Sequence, residues 1–252
     1  MKELNAIEEY NILSQRAVQL TNHSYLSNYV TYPPLDQTSW ILVIQLLRQA
    51  LIKPKDREEL VLPALLIQMA LNHHEQVSVG EEHDAWLYRK RQLTVLAGDF
   101  FSSRYYEQLA IRGRISLIHH FAQAIGSINE AKMELYLKDS WTPDQRHALL
   151  WKRDLSLFQV IFKECLPTAQ AIKHALILLE RLAQVRWDPA NEMVQIEEQL
   201  QLLQQEAIIH WDDISDPHGD TETAITQFIQ STLQYINEKM GVDISEGPVS
   251  VL

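Results

Sequence analysis

Carboxylates spaced to share a hard divalent cation are the first chemistry to look for. Mg²⁺ needs several oxygen ligands, and acids three or four residues apart on a helix present them on one face. Trp211-Asp212-Asp213-Ile214-Ser215-Asp216 has that spacing, with Asp220 close behind. Pro217-His218-Gly219 follows directly, however, and no apolar run of a buried helix surrounds it. Asp and Ser ahead of a proline commonly bond their own backbone and start turns. The stretch therefore reads as an acidic turn or the cap of the next helix, and the alternative is an enzyme that works alone with Mg²⁺ on Asp212, Asp213 and Asp216.

Other reactive residue types are poorly placed for chemistry. Adjacent residues of a helix point about 100° apart, so neither His73/His74 nor His119/His120 converges on a metal by itself. These read as structural or surface histidines, as does His83 in Glu81-Glu82-His83-Asp84. Cys165 is the single cysteine and lies among Ile161, Phe162 and Leu166, which favours a packed thiol over a nucleophile and fits a reducing compartment. There is no glycine-rich phosphate loop and no nucleophile elbow. Arg89, Lys90 and Arg91 read as a solvated helix face.

The sharpest local string is Leu96-Ala97-Gly98-Asp99-Phe100-Phe101-Ser102-Ser103-Arg104-Tyr105-Tyr106. A glycine inside a helical pattern costs about 1 kcal/mol relative to alanine, so Gly98 signals close helix packing or a bend. Phe100, Phe101, Tyr105 and Tyr106 recur at helical spacing, and such aromatics fill cores or anchor interfaces through their large buried area.

Helices must position all of this. Only seven glycines occur in 252 residues, and apolar residues repeat at three- and four-residue steps, so the fold class is all-α. The periodicity predicts helices over about Ala6–Tyr29, Gln37–Leu51, a segment containing Leu62–Leu71, His83–Ala110 with a break or bend near Gly98, and Ile115–Leu137. Pro33-Pro34 is expected to stop the first helix, and Pro63 to lie near the first turns of the third. Thr142-Pro143-Asp144-Gln145 carries a capping residue, a proline suited to the first helical position and a capping-box partner. Its helix is expected to end at Pro167, with others over about Thr168–Val185, Glu192–Ile209 and Ala224–Met240.

With no linker and no fixed-period repeat, residues 1–252 read as one helical domain with a frayed tail over 241–252. The balance of 22 basic and 33 acidic residues gives a net charge of −11, which points away from nucleic acid and anionic membranes as default partners. A hydrophobic fraction of 46 % and a charged fraction of 22 % argue against intrinsic disorder. Met1-Lys2-Glu3-Leu4-Asn5 runs into Glu8 and Glu9 without an apolar segment, and the most apolar stretches are too short to cross hydrocarbon, so neither signal peptide nor membrane span is expected. The expected location is the cytoplasm.

The Leu96-Ala97-Gly98-Asp99 string resembles the Leu-Ala-Gly-Asp-Tyr-Leu segment of trans-isoprenyl diphosphate synthases, and an apolar helix ending in a histidine and acid lies upstream as it does there. In active members that helix ends in His-Asp-Asp-x-x-Asp, whose aspartates hold magnesium against an allylic diphosphate. The matching stretch is His73-His74-Glu75-Gln76-Val77-Ser78-Val79, where Gln76 and Val79 stand at the positions of the second and last aspartate. The Arg-Arg-Gly diphosphate element has no match, and the interval from Glu75 to Gly98 is shorter than in catalytic members. Lys152-Arg153-Asp154-Leu155 is loosely similar to the family's Lys-Thr helix. Arg181–Asp188 stands where a second aspartate cluster belongs and offers one acid, Asp188.

A bundle of this type stripped of both clusters looks like the small subunits, component I, of bacterial heptaprenyl or hexaprenyl diphosphate synthases. The resemblance covers roughly Asp36 to Asp188. It implies an isoprenoid-synthase-type fold, no catalytic residue, and no metal or cofactor in this chain. It also implies a catalytic large subunit, component II, as partner, with Mg²⁺ bound there. That pair condenses farnesyl diphosphate with isopentenyl diphosphates for the menaquinone side chain, the small subunit helping to set product length. Gly98, Asp99, Phe100, Phe101, Arg104 and Tyr105 are then expected to be structural, to contact the partner or to wall the elongation tunnel near the allylic chain. The rival readings are a terpenoid enzyme acting through Asp212, Asp213 and Asp216, and a helical scaffold docking through Glu192–Glu206.

Overall fold

Asn5 opens the first helix with a reciprocal cap: its side chain accepts from the amide of Glu8 at 2.9 Å, and the Glu8 carboxylate accepts from the Asn5 amide at 2.8 Å. In the computed structural model, which describes residues 4–77, 84–138, 140–166 and 168–187, seven helices follow. They are α1 (Ala6–Thr21), α2 (Gln37–Gln49), α3 (Pro54–Glu75), α4 (Ala85–Ile111), α5 (Ile115–Leu137), α6 (Pro143–Cys165) and α7 (Ala169–Trp187). The sequences expected to form helices over Glu192–Ile209 and Ala224–Met240, the Asp212 to Asp220 turn and the tail lie outside the described residues, as do Glu81, Glu82, His83 and Asp188.

The Thr142 cap forms as read: its hydroxyl accepts from the Gln145 amide, the Gln145 side chain accepts from the Thr142 amide, and Pro143 opens α6. The Ile115–Leu137 helix also has the expected bounds, set by Gly113 at φ 67°, a left-handed conformation glycine adopts without strain.

Three boundaries differ from the periodicity. α1 ends at Thr21, not Tyr29. The Thr21 hydroxyl donates to the carbonyl of Ala17, and the His23 ring accepts from the amides of Tyr25 and Leu26, so polar side chains serve the backbone before Pro33 is reached. Only a single 3₁₀ turn, Leu26–Asn28, follows. α2 stops at Gln49 because Leu51 takes φ 55° and the Ile52 amide folds back to the Leu47 carbonyl. Pro63 lies well inside α3, since the helix begins at Pro54; tertiary burial on all sides of α3 overrides the missing donor.

That all-round burial makes α3 the axis of the bundle. Leu60, Val61, Leu62, Ala64, Leu65, Leu66, Ile67, Met69 and Ala70 are all withdrawn from solvent. α4 packs most extensively against α3 and α5 against α6; α7 covers α6 and α2, while α1 lies on α2 and α3. α1 is clamped by a buried charge pair: Arg57 donates from Nε and Nη2 to the two Glu9 oxygens at 2.8 and 2.7 Å, and Arg48 adds a third contact at 3.1 Å. Among the described residues no helix is long and apolar enough to cross a membrane.

Candidate functional site

The end of α3 carries His73, His74 and Glu75, and the α3–α4 packing sets them against the Gly98 string. α4 runs unbroken from Ala85 to Ile111, so the bend expected near Gly98 is absent. The glycine is there for close approach. A β-carbon on Gly98 would stand 2.5 Å from His74 Cε1 and 2.6 Å from His74 Nε2, which is closer than side chains pack. The same ring lies 3.7 Å from a carboxylate oxygen of the exposed Asp99.

His73 turns the other way, into the core. Its ring meets Phe101 edge-on with centroids 4.7 Å apart, and Tyr32 stacks on the far side of Phe101 at 5.8 Å. Both ring nitrogens are buried without a hydrogen-bond partner. Burial, with His74 as a second contributor, lowers its pKa from 6.5 to about 4, so the imidazole is neutral at physiological pH.

Glu75, the one acid retained at this end, takes the ammonium of Lys132 on α5 at 2.8 Å. Nearby on α6, Arg153 donates from Nε and Nη2 to both oxygens of Asp154, and the indole Nε1 of Trp187 on α7 donates to Asp154 Oδ2 at 2.6 Å. Asp154 first, and Glu75 as a smaller contributor, raise the Arg153 pKa further. Among the described residues no three His, Cys, Asp or Glu side chains gather as a metal would require. The acids of this region, among the described residues, do not fit a magnesium cluster: Glu75 and Asp154 are each paired with a protein cation, and Asp99 stands exposed beside His74.

The other residues singled out in the string separate into two sets. Phe101 and Tyr105 are 1 % and 0 % exposed and belong to this chain's own core. α4 turns them toward α3, the structural one of the roles expected at these positions. Burial pushes the Tyr105 hydroxyl well above the usual tyrosine range. Phe100 is half-buried beneath the Arg104 guanidinium, 4.6 Å from its ring, and Arg104 pairs with Glu107 at 2.8 Å on its own helix. The opposite face of α4 leaves Tyr88, Val95, Leu96 and Tyr106 exposed, and α5 leaves Met133, Tyr136 and Leu137 exposed.

The pairs Lys132–Glu75 and Trp187–Asp154 were not singled out from the sequence, since each joins residues far apart along the chain and no local spacing announces it. Cys165 is half-buried, its thiol donates to the Ile161 carbonyl, and burial pushes its pKa up to about 12, as a packed thiol requires. His120 pairs with Glu164 at 2.8 Å, and Arg89 and Lys90 are exposed, matching the surface readings.

This helical arrangement is that of the isoprenyl diphosphate synthases. It is similar to a geranyltransferase from Legionella pneumophila (TM-score 0.64, 14 % identity, covering 94 % of this chain and 97 % of that one). It is also similar to a mint deletion mutant of heterotetrameric geranyl pyrophosphate synthase (TM-score 0.55, 12 % identity, 87 % and 98 % covered). Residues 23–239 match the family described as heptaprenyl diphosphate synthase (HEPPP synthase) subunit 1, and the chain belongs to that family. Heptaprenyl diphosphate synthase component 1 of Geobacillus stearothermophilus is 44 % identical over 85 residues, a match that spans 34 % of this chain and 37 % of that protein.

Proposed function

We propose that this chain is the component 1 subunit of a two-component heptaprenyl diphosphate synthase and has no prenyl-transfer activity of its own. The observation that carries the reading is the pairing of Glu75 with Lys132 in a member of the subunit 1 family: where a synthase needs carboxylates free for metal, the retained acid is bound to an ammonium. The metal-binding aspartates and Mg²⁺ belong in this reading to a catalytic large subunit, component II. There farnesyl diphosphate is extended by isopentenyl diphosphate units for the menaquinone side chain, in the cytoplasm.

Charge neutralisation of diphosphate is the requirement that such a reaction places on its site. A subunit that keeps the fold but not the acids can supply shape instead: a wall for the growing chain and a surface that fixes the partner. The exposed apolar side chains of α4, Leu96 at 56 % and Tyr106 at 44 %, favour that face as the docking surface, with Gly98 allowing α4 to sit tightly on α3 and hold it rigid.

Co-expression with a candidate large subunit tests the reading. The mixture is expected to extend farnesyl diphosphate with Mg²⁺, while this chain alone gives no product. Turnover by the isolated chain, or failure of the two to co-purify, would overturn it.

A further inference from the structure

The end of α3 is a negative pole. The carbonyls of His73 and His74 accept from the amides of Gln76 and Val77, so the full charge at this end is that of the Glu75 carboxylate. Of the two histidines of that turn, His73 is turned into the core, and the ring of His74 lies on Gly98 of α4. Among the described residues, the cation paired with Glu75 is the ammonium of Lys132, 2.8 Å from Oε1, reaching across from α5. The side chain of Lys132 is 22 % exposed, so its stem is laid along the protein and brings the ammonium to the more exposed Glu75 carboxylate. Arg153 faces the same region from α6 but is engaged by both oxygens of Asp154, whose Oδ2 is taken by Trp187 as well. One carboxylate is thus left for each of two protein cations, and no third acid joins them among the described residues.

We infer that Lys132 is a tethered counter-ion: its ammonium neutralises Glu75 in place of a divalent cation, ties α3 to α5, and leaves Glu75 without a metal requirement. The inference rests on the geometry of this chain and does not depend on the identity of any partner.

Two readouts on the full-length chain test it. In low-salt buffer, Mn²⁺ titrated against the chain and against Glu75→Gln, followed by electron paramagnetic resonance, is expected to give the same free-ion signal. Mn²⁺ uptake that Glu75→Gln abolishes would overturn the inference. Lys132→Met is expected to lower the melting temperature by roughly 1–3 °C, Lys132→Arg to preserve it, and Lys132→Met added to Glu75→Gln to cost nothing further. An equal loss from Lys132→Met in both backgrounds would show packing rather than charge and would also overturn it. The metal comparison stands even where the methionine variant folds poorly, because it uses only the natural chain and the isosteric Gln variant.

Discussion

The imidazole of His74 lies over Gly98 so closely that a single methyl group at that position would stand 2.5 Å from the ring. α3 and α4 therefore approach each other through a glycine on one side and a flat ring on the other. The ring is partly exposed and can swing away, so the consequence of filling the gap depends on whether it is present.

Alanine is favoured over glycine by about 1 kcal/mol in a helix interior, and the clash opposes that gain. Gly98→Ala is expected to give no stabilisation in the natural chain, and to stabilise by about 0.5–1 kcal/mol once His74→Ala has removed the ring. A double-mutant cycle by urea denaturation reads the coupling. Equal effects in both backgrounds would show that the ring does not limit the approach.

The Glu9–Arg57 pair is nearly closed to water, and its loss leaves an uncompensated buried charge. Arg57→Met is expected to cost about 2–4 kcal/mol, softened by the remaining contact from Arg48. Removing both partners, as in Glu9→Leu with Arg57→Met, is expected to cost less than the single change. Denaturant midpoints at constant m-value decide between these orders.

His73 binds its proton more weakly in the folded chain than in the unfolded one, about 4 against 6.5. Between those values the unfolded state carries more protons, so stability contributed by the neutral ring is complete above pH 6.5 and is lost as pH falls toward 4. The difference amounts to about 3 kcal/mol at most. His73→Leu, which also removes two unpartnered buried nitrogens, is expected to flatten this acid limb without loss of stability at pH 7. A stability–pH profile no flatter than that of the natural chain would refute the assignment.

Assembly and folding should separate on α4. Leu96→Asp and Tyr106→Ala are expected to weaken co-purification with a large subunit tenfold or more while changing the melting temperature little. Phe101→Ala is expected to cost about 3–5 kcal/mol of folding stability, because its ring is packed on all sides. Pull-down and thermal melts on the same variants distinguish the two effects, and normal assembly of Leu96→Asp would move the docking surface elsewhere.

Much of the fold was legible along the chain because its signals are local. The seven glycines and the three- and four-residue apolar step gave an all-α chain. Thr142, Pro143 and Gln145 located the start of α6 to the residue, since capping satisfies amides within one turn. That Gln76 and Val79 cannot contribute carboxylates was also readable, because it depends on residue type and not on surroundings.

What the tertiary structure alone decided are the relations between residues far apart in sequence. Spacing could not tell whether Gly98 bends α4 or lets another helix approach; the His74 ring settles that, because close packing is a property of two helices together. Aromatic periodicity could not divide core from surface. α4 puts Phe101 and Tyr105 inside and leaves Tyr106 out, since a helix buries only the face its neighbours cover. The charge state of the Glu75 end was likewise invisible, because the cation that answers it arrives from α5 through space, and Coulombic pairing depends on distance rather than on order along the chain.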